Sequence, residues 1–213
     1  MKIDYSLYLV TDRLLMSANT LPRAVEQAIL GGCTMIQLRE KNIGSGDFYD
    51  LARKTKKVTD RYDTPLIIND RLDIAMAVGA AGVHIGQSDI PAGIARRVIG
   101  TDMLLGVSVS CVQEAYSAAK AGADYLGVGA MFPTKTKPDA VPVSMEELKK
   151  IRRAVDLPIV VIGGINGENA EFFAPMGING LAVISAVIAQ PDIKQAAALM
   201  IKCYKGRRPK DSI

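Results

Sequence analysis

The chain reads as an α/β protein folded into a single-domain (β/α)8 barrel of the TIM type, and three observations carry that expectation. Short apolar runs bounded by Gly and Pro recur along the whole chain, the pattern of parallel strands buried on both faces. They alternate strictly with segments of helical period, which implies right-handed crossovers and a parallel sheet. Eight such units can be counted, and polar residues able to do chemistry follow the apolar runs repeatedly. That is the sequence image of a site built at the C-terminal ends of barrel strands. A doubly wound open sheet is the alternative, but the first strand leads into Thr11-Asp12-Arg13 instead of a Gly-rich dinucleotide fingerprint.

The elements follow in order. Tyr5 to Thr11 reads as the first strand. Thr20 to Leu30 has apolar residues at Leu21, Ala24, Val25, Ala28 and Ile29, one face of a helix that Gly31-Gly32 stops. Strand two is Met35 to Leu38, with a helix from Gly46 to Tyr62. Strand three, Leu66 to Asn69, precedes a helix from Arg71 to Val78, and strand four, Val83 to Ile85, precedes one from Pro91 to Ile99. Strand five is Leu104 to Val107, with a helix from Val112 to Ala121. Strand six, Tyr125 to Val128, runs into a long loop from Met131 to Val143, a candidate lid. Helix six, Met145 to Ala154, has Ser144 as its N-cap and Glu147 placed for a capping box. Strand seven is Ile159 to Ile162, with a helix from Gly167 to Ala174. Strand eight is Leu181 to Ile184, and a last helix spans Asp192 to Tyr204. A weak repeat supports the count, since Gly31-Gly32, Gly79 to Gly82, Ala121-Gly122 and Gly177 to Gly180 each close a helix and open a strand.

Length and composition bound the function. A chain of 213 residues is near the lower limit for a complete barrel and leaves little room for another domain, so one domain spans 1–213, with a basic tail from about 205. The net charge is +4, the one basic cluster lies in that tail, and there is no Trp. A nucleic-acid partner needs a basic face with stacking aromatics, and none is evident. Cys33, Cys111 and Cys203 are sparse and lack metal-ligand spacing, which predicts reduced thiols and no zinc site. The N-terminus has no signal-peptide pattern and no run is long enough to span a bilayer, so a cytoplasmic protein without membrane contact is expected. Small barrels often associate, so a homo-oligomer is compatible with the sequence.

The strand ends supply two candidate anion sites. Asp70 and Asp89 follow neighbouring strands, and two carboxylates at one rim suit Mg2+, which takes one or two carboxylates plus waters and phosphate oxygens. Each is also placed to cap a helix. Arg39, Lys41 and Lys137 add cations, so that metal and cations together describe a polyanion site, most naturally for a diphosphate. Alternatively Glu40 pairs with those cations in an ordinary salt-bridged rim. Gly163-Gly164 permits close ligand approach, and Ile184-Ser185-Ala186 sits where a helix would begin, as in phosphate sites after the last two strands of this fold. The glycines also suit tight packing. His84, the single histidine, lies within a strand and reads as a core or supporting residue. No nucleophile–His–Asp set is visible, which points to charge stabilisation in a displacement of diphosphate by a phosphorylated acceptor.

Seven segments together resemble the thiamine-phosphate synthase (thiamine-phosphate pyrophosphorylase) family. They are Gln37-Leu38-Arg39-Glu40-Lys41, Asn69-Asp70, His84 to Asp89, Gly106-Val107-Ser108, Pro133 to Lys137, Ile162 to Ile165 and Ile184-Ser185-Ala186, in the family's order and approximate spacing. The resemblance implies a transferase that joins an aminopyrimidine methyl diphosphate to a thiazole phosphate, giving thiamine phosphate and diphosphate. It implies that Gln37, Leu38, Arg39, Glu40, Lys41, Asn69, Ser108 and Lys137 hold the pyrimidine diphosphate, with Arg39, Lys41, Ser108 and Lys137 catalytic. Asp70 and Asp89 would hold Mg2+. Thr134, Lys135, Thr136, Gly164, Ile184 and Ser185 would hold the thiazole phosphate. The implied mechanism is dissociative: diphosphate leaves, the pyrimidine ring stabilises the carbocation and the thiazole nitrogen attacks. A paralogous thiazole tautomerase or a precursor sensor on the same scaffold would not need the diphosphate and metal set.

Overall fold

A computed structural model describes residues 3–134 and 141–205. Eight parallel strands close into a barrel in sequence order. They are β1 (Leu7–Val10), β2 (Met35–Leu38), β3 (Leu66–Asn69), β4 (Gly82–Ile85), β5 (Leu104–Val109), β6 (Tyr125–Val128), β7 (Ile159–Val161) and β8 (Gly180–Val183). β1 pairs with both β2 and β8, which removes every sheet edge. The helices between them are α1 (Leu21–Leu30), α2 (Ser45–Arg61), α3 (Leu72–Val78), α4 (Ala92–Ile99), α5 (Val112–Lys120), α6 (Met145–Ala154), α7 (Ser185–Ile188) and α8 (Ile193–Lys205).

Alternation along each strand sorts the side chains into two cores. Leu7, Leu9, Ile36, Leu38, Leu66, Ile68, Val83, Ile85, Leu105, Val107, Leu126, Val128, Ile159, Val161, Leu181 and Val183 face outward onto the helix ring. Their alternates face inward, where Tyr5, Tyr8, Val10, Met35, Ile67, Tyr125, Val160 and Ala182 form a separate cluster. Continuous apolar runs result because both faces of every strand are buried.

Most expected elements stand within one or two residues of their observed bounds. The expected helix from Gly167 to Ala174 does not form as such. A 3-10 helix runs from Ala170 to Met176 and contains Pro175. Side chains occupy the expected first turn: Asn166 N–H donates to Asn169 Oδ1 at 2.9 Å, and Glu168 N–H donates to Asn166 Oδ1 at 2.9 Å. Such Asx bonds compete with helical ones, and Pro175 removes a further donor. The short α7 after β8 matches the helix start anticipated at Ser185. Ser144 caps α6 by accepting from Glu147 N–H at 3.1 Å. The capping box is only half made, because Glu147 Oε1 instead accepts from Val112 N–H at 3.1 Å and ties α6 to α5.

At the N-terminal end of the barrel one side chain ties two neighbouring loops together. Arg96 of α4 donates through Nε to Gly122 O at 3.0 Å and through Nη1 to Gly100 O at 2.6 Å and Met103 O at 2.8 Å, and its Nη2 pairs with Asp124. Asp124 Oδ2 also accepts from Leu105 N–H at 2.7 Å, so two loops and the start of β5 share one charged cluster. The three cysteines carry free thiols, with Cys33 buried. No helix among the described residues is long and apolar enough to cross a membrane.

Truncating Arg96 would leave three carbonyls without this donor and Asp124 without its cation. Arg96→Ala is expected to lower unfolding free energy by about 2 kcal/mol, the partly exposed pair contributing less than a fully buried one. Denaturant unfolding checks this, and because the cluster lies on the far face of the barrel, kcat at 25 °C should stay within about twofold of the parent value.

Candidate active site

The C-terminal ends of the strands surround a cavity of about 440 Å3. Gln37, Arg39, Lys41, Asn69, Asp89, Ser108, Thr134, Gly164, Ile184 and Ser185 all line it, drawn from segments scattered across the chain. His84, Tyr8 and Gly163 line it as well. Three of the expected ligand residues are not part of its lining: Leu38, Glu40 and Asp70, the last reaching its edge through Lys41 and Asp89. Leu38 points outward into the strand–helix core and is fully buried there, so only its main chain is available to a ligand. Glu40 turns to Arg13, with Oε1 2.8 Å from Arg13 Nε. Lys135, Thr136 and Lys137, with the candidate lid around them, lie outside the described residues.

Asp70 and Asp89 do come together. Burial pushes the Asp70 carboxyl above the usual carboxylate range, Lys41 opposes this, and the adjacent Asp89 carboxylate adds to it. Neither aspartate caps a helix: the N-cap positions of α3 and α4 are Arg71 and Pro91, without side-chain caps. Asp89 Oδ2 instead accepts from Gly86 N–H at 2.7 Å and folds the β4 loop inward. Asp70 is held from both sides, since Asn69 Nδ2 donates to Oδ1 at 2.6 Å while Lys41 Nζ pairs with Oδ2. Its backbone has φ of 61°, the left-handed region that few residues other than Gly adopt. Asp70 N–H donates to His84 O at 2.9 Å and Arg71 N–H donates to Asn69 O at 2.7 Å, which hold that turn. Two carboxylates in contact, with hard oxygen donors and open cavity beside Asp89, fit Mg2+. No group of three or more described His, Cys, Asp or Glu residues forms a fuller metal cage.

The cations are arranged for an anion. Glu40 is taken by Arg13, so the salt-bridged rim exists but does not involve Arg39. Arg39 lines the cavity and makes no ion pair with any described residue. Its position is fixed through the main chain, where Arg39 N–H donates to Thr11 Oγ1 at 3.0 Å. Across the cavity Gly163 and Gly164 have φ of 102° and 63°. A Cβ on Gly163 would lie 2.6 Å from Ala130, and one on Gly164 would lie 2.7 Å from Pro133 O. These glycines therefore serve tight packing and also leave bare main chain facing the cavity.

Sequence reasoning missed the tyrosines of the cavity floor. Tyr8 and Tyr125 sit at inward positions of β1 and β6, and burial pushes both hydroxyls above their ordinary range. Gln37 Nε2 donates to the Tyr8 hydroxyl at 2.7 Å, and the two tyrosine oxygens lie 2.9 Å apart. The available signal was a Tyr at an inward position of an otherwise aliphatic strand.

Functional groups gathered at the C-terminal mouth of a closed parallel barrel define the chain as a TIM-barrel enzyme. The family model described as Thiamine monophosphate synthase matches residues 7–187. A thiamine-phosphate synthase of Clostridium beijerinckii is 63% identical over 196 residues, covering 92% of this chain and 94% of that protein. One from Ruminiclostridium cellulolyticum is 59% identical over 203 residues, covering 95% and 97%. The solved thiamine phosphate pyrophosphorylase of Pyrococcus furiosus superposes with a TM-score of 0.88 at 38% identity, covering 96% of this chain and 97% of that one. The chain belongs to the thiamine monophosphate synthase family, and it is a transferase of thiamine biosynthesis.

Gly106 makes room for the floor. A Cβ there would overlap the Tyr125 ring and His84 Nδ1. Gly106→Ala is expected to destabilise the fold by about 2 kcal/mol through overpacking. It should also raise KM for substrate, which thermal unfolding and steady-state kinetics measure separately.

Proposed function

We propose that this chain condenses an aminopyrimidine methyl diphosphate with a thiazole phosphate, giving thiamine phosphate and diphosphate. The observation that carries the reading is the contact of Asp70 with Asp89 and Lys41 at the edge of a cavity that Arg39, Lys41 and Asp89 line, Arg39 making no ion pair with any described residue. Family membership supports the same chemistry.

The reaction begins with heterolysis of the bond between the pyrimidine methylene carbon and the diphosphate oxygen. The bonding electron pair leaves with diphosphate, and the aminopyrimidine ring disperses the positive charge left on carbon. Arg39 receives the diphosphate through its planar fork, and Lys41 adds a mobile positive charge. Lys137 is a further cation for the same anion in our reading. Asp70 and Asp89 would hold Mg2+, which would supply Lewis-acid stabilisation of the charge on the leaving group. Gln37, Asn69 and Ser108 orient the pyrimidine, with Leu38 and Glu40 contributing main chain. Gly164, Ile184, Ser185, Thr134, Lys135 and Thr136 seat the thiazole phosphate so that its ring nitrogen faces the carbocation. No protein nucleophile enters, and the residues act through position and charge. The substrates are small soluble anions, and the three free thiols suit a reducing cytoplasm.

The test mixes the purified protein with both substrates, with and without Mg2+, and follows thiamine phosphate and diphosphate together. Equal amounts formed only with Mg2+ are expected. Thiazole phosphate binding without turnover would overturn the reading in favour of a tautomerase or a sensor. Asp70→Asn and Asp89→Asn should each lower kcat/KM by about 10²-fold or more. The fold should survive, because Asn tolerates the left-handed backbone at position 70. Full activity in either variant would sink the metal assignment.

A further inference from the structure

Five polar side chains from five strands hydrogen-bond in file across the barrel interior. Gln37 Nε2 of β2 donates to the Tyr8 hydroxyl of β1 at 2.7 Å, and the Tyr8 and Tyr125 hydroxyls of β1 and β6 lie 2.9 Å apart. The Tyr125 oxygen lies 3.0 Å from Nδ1 of His84 on β4, and His84 Nε2 lies 2.9 Å from Ser108 Oγ of β5. Tyr8, Gln37, His84 and Tyr125 are buried. The file occupies space that two inward glycines vacate: a Cβ on Gly106 would overlap Tyr125 and His84, and one on Gly127 would lie 2.9 Å from His84 Cε1. Ring contacts brace it, with the His84 and Tyr125 centroids 5.5 Å apart and those of Tyr8 and Tyr125 6.0 Å apart. Only its ends, Gln37 and Ser108, have a role in the reaction described above.

We propose that the file is a one-way relay that turns the Ser108 hydroxyl hydrogen into the cavity, with Tyr8, Tyr125 and His84 as positioning residues. Each hydroxyl has one hydrogen to give, so one fixed end orders the whole file. Gln37 donates to Tyr8, so Tyr8 passes its own hydrogen to Tyr125. Tyr125 in turn donates to His84 Nδ1, which must then be unprotonated. A neutral imidazole keeps its hydrogen on Nε2 and gives it to Ser108 Oγ. The Ser108 hydrogen is left to meet an acceptor on the pyrimidine diphosphate. Burial keeps both tyrosines neutral, as donors in such a file must be. The proton of no group is transferred; the relay sets direction only. The inference rests on the pyrimidine diphosphate reading of Ser108.

The chain has a single histidine, so 15N imidazole NMR of the full-length protein reports His84 without ambiguity. The neutral Nε2–H tautomer is expected at neutral pH, with an Nδ1 resonance typical of a hydrogen-bond acceptor. Tyr125→Phe should shift that resonance toward free imidazole and lower kcat about tenfold, the worth of one oriented hydrogen bond, with a smaller effect on KM. Ser108→Ala should cost at least as much, and the double variant no more than Ser108→Ala alone. Tyr8→Phe should act in the same direction as Tyr125→Phe, and serves if the latter does not fold. An Nδ1–H tautomer, or losses that multiply in the double variant, would overturn the relay. If the parent protein makes no thiamine phosphate, the functional reading fails by itself, while the tautomer still decides the direction of the file.

Discussion

Closure of eight short strands leaves little interior, and how that interior is filled governs the rest of the molecule. Each strand offers only two or so inward positions, because alternation gives the others to the helix ring. Large inward side chains therefore need small neighbours. Tyr125 and His84 fit because Gly106 stands beside both in register and Gly127 leaves room for the His84 ring. Polar atoms in so tight a space must find partners, since an unpaired buried hydroxyl or amide costs a few kcal/mol. Tyr8, Gln37, Tyr125 and His84 meet that demand with one another. The cavity above them exists because the file fills the floor with planar rings and leaves the rim to short or flexible side chains.

The rim solves a second problem, that of placing like charges together. Asp70 and Asp89 repel, and burial makes ionisation of Asp70 harder still. Lys41 and the Asn69 amide offset this from one side. A strained backbone at Asp70 is kept because its own N–H is committed to His84 O across the strand pair. Arg13 withdraws Glu40 from the cavity, which leaves Arg39 uncommitted to any described carboxylate.

The architecture was legible in the sequence because its signal is repeated. Eight apolar runs with glycine-closed helices between them leave few other folds. Asp70 and Asp89 were readable as a pair because adjacent strands carry them, although either alone could have capped a helix. The helix expected from Gly167 to Ala174 was misread because apolar spacing says nothing about Asx bonds, and the Asn169 and Asn166 side chains accept from Asn166 N–H and Glu168 N–H across its first turn. Leu38 was placed in the site by its neighbours, yet strand alternation alone puts it on the opposite face from Gln37 and Arg39. Glu40, expected among the pyrimidine diphosphate residues, instead turns its side chain to Arg13, which approaches from another strand end, and no local pattern encodes that meeting. The tyrosine file was invisible for the same reason, each of its bonds spanning residues far apart in sequence.

Stability and chemistry separate along the barrel axis. Toward the N-terminal end the interior is apolar, with Met35 and Ile67 in one cluster with Tyr5, and Arg96 knits the loops outside it. Toward the C-terminal end polar atoms, glycine main chain and backbone strain accumulate, as at Asp70, Gly163 and Gly164. The file of hydrogen bonds lies between the two regions and belongs to both. It is packed like core and satisfied like core, yet its last hydroxyl opens onto the cavity. A close-packed floor of this kind fixes Ser108 through buried rings, independently of the strained strand end at Asp70.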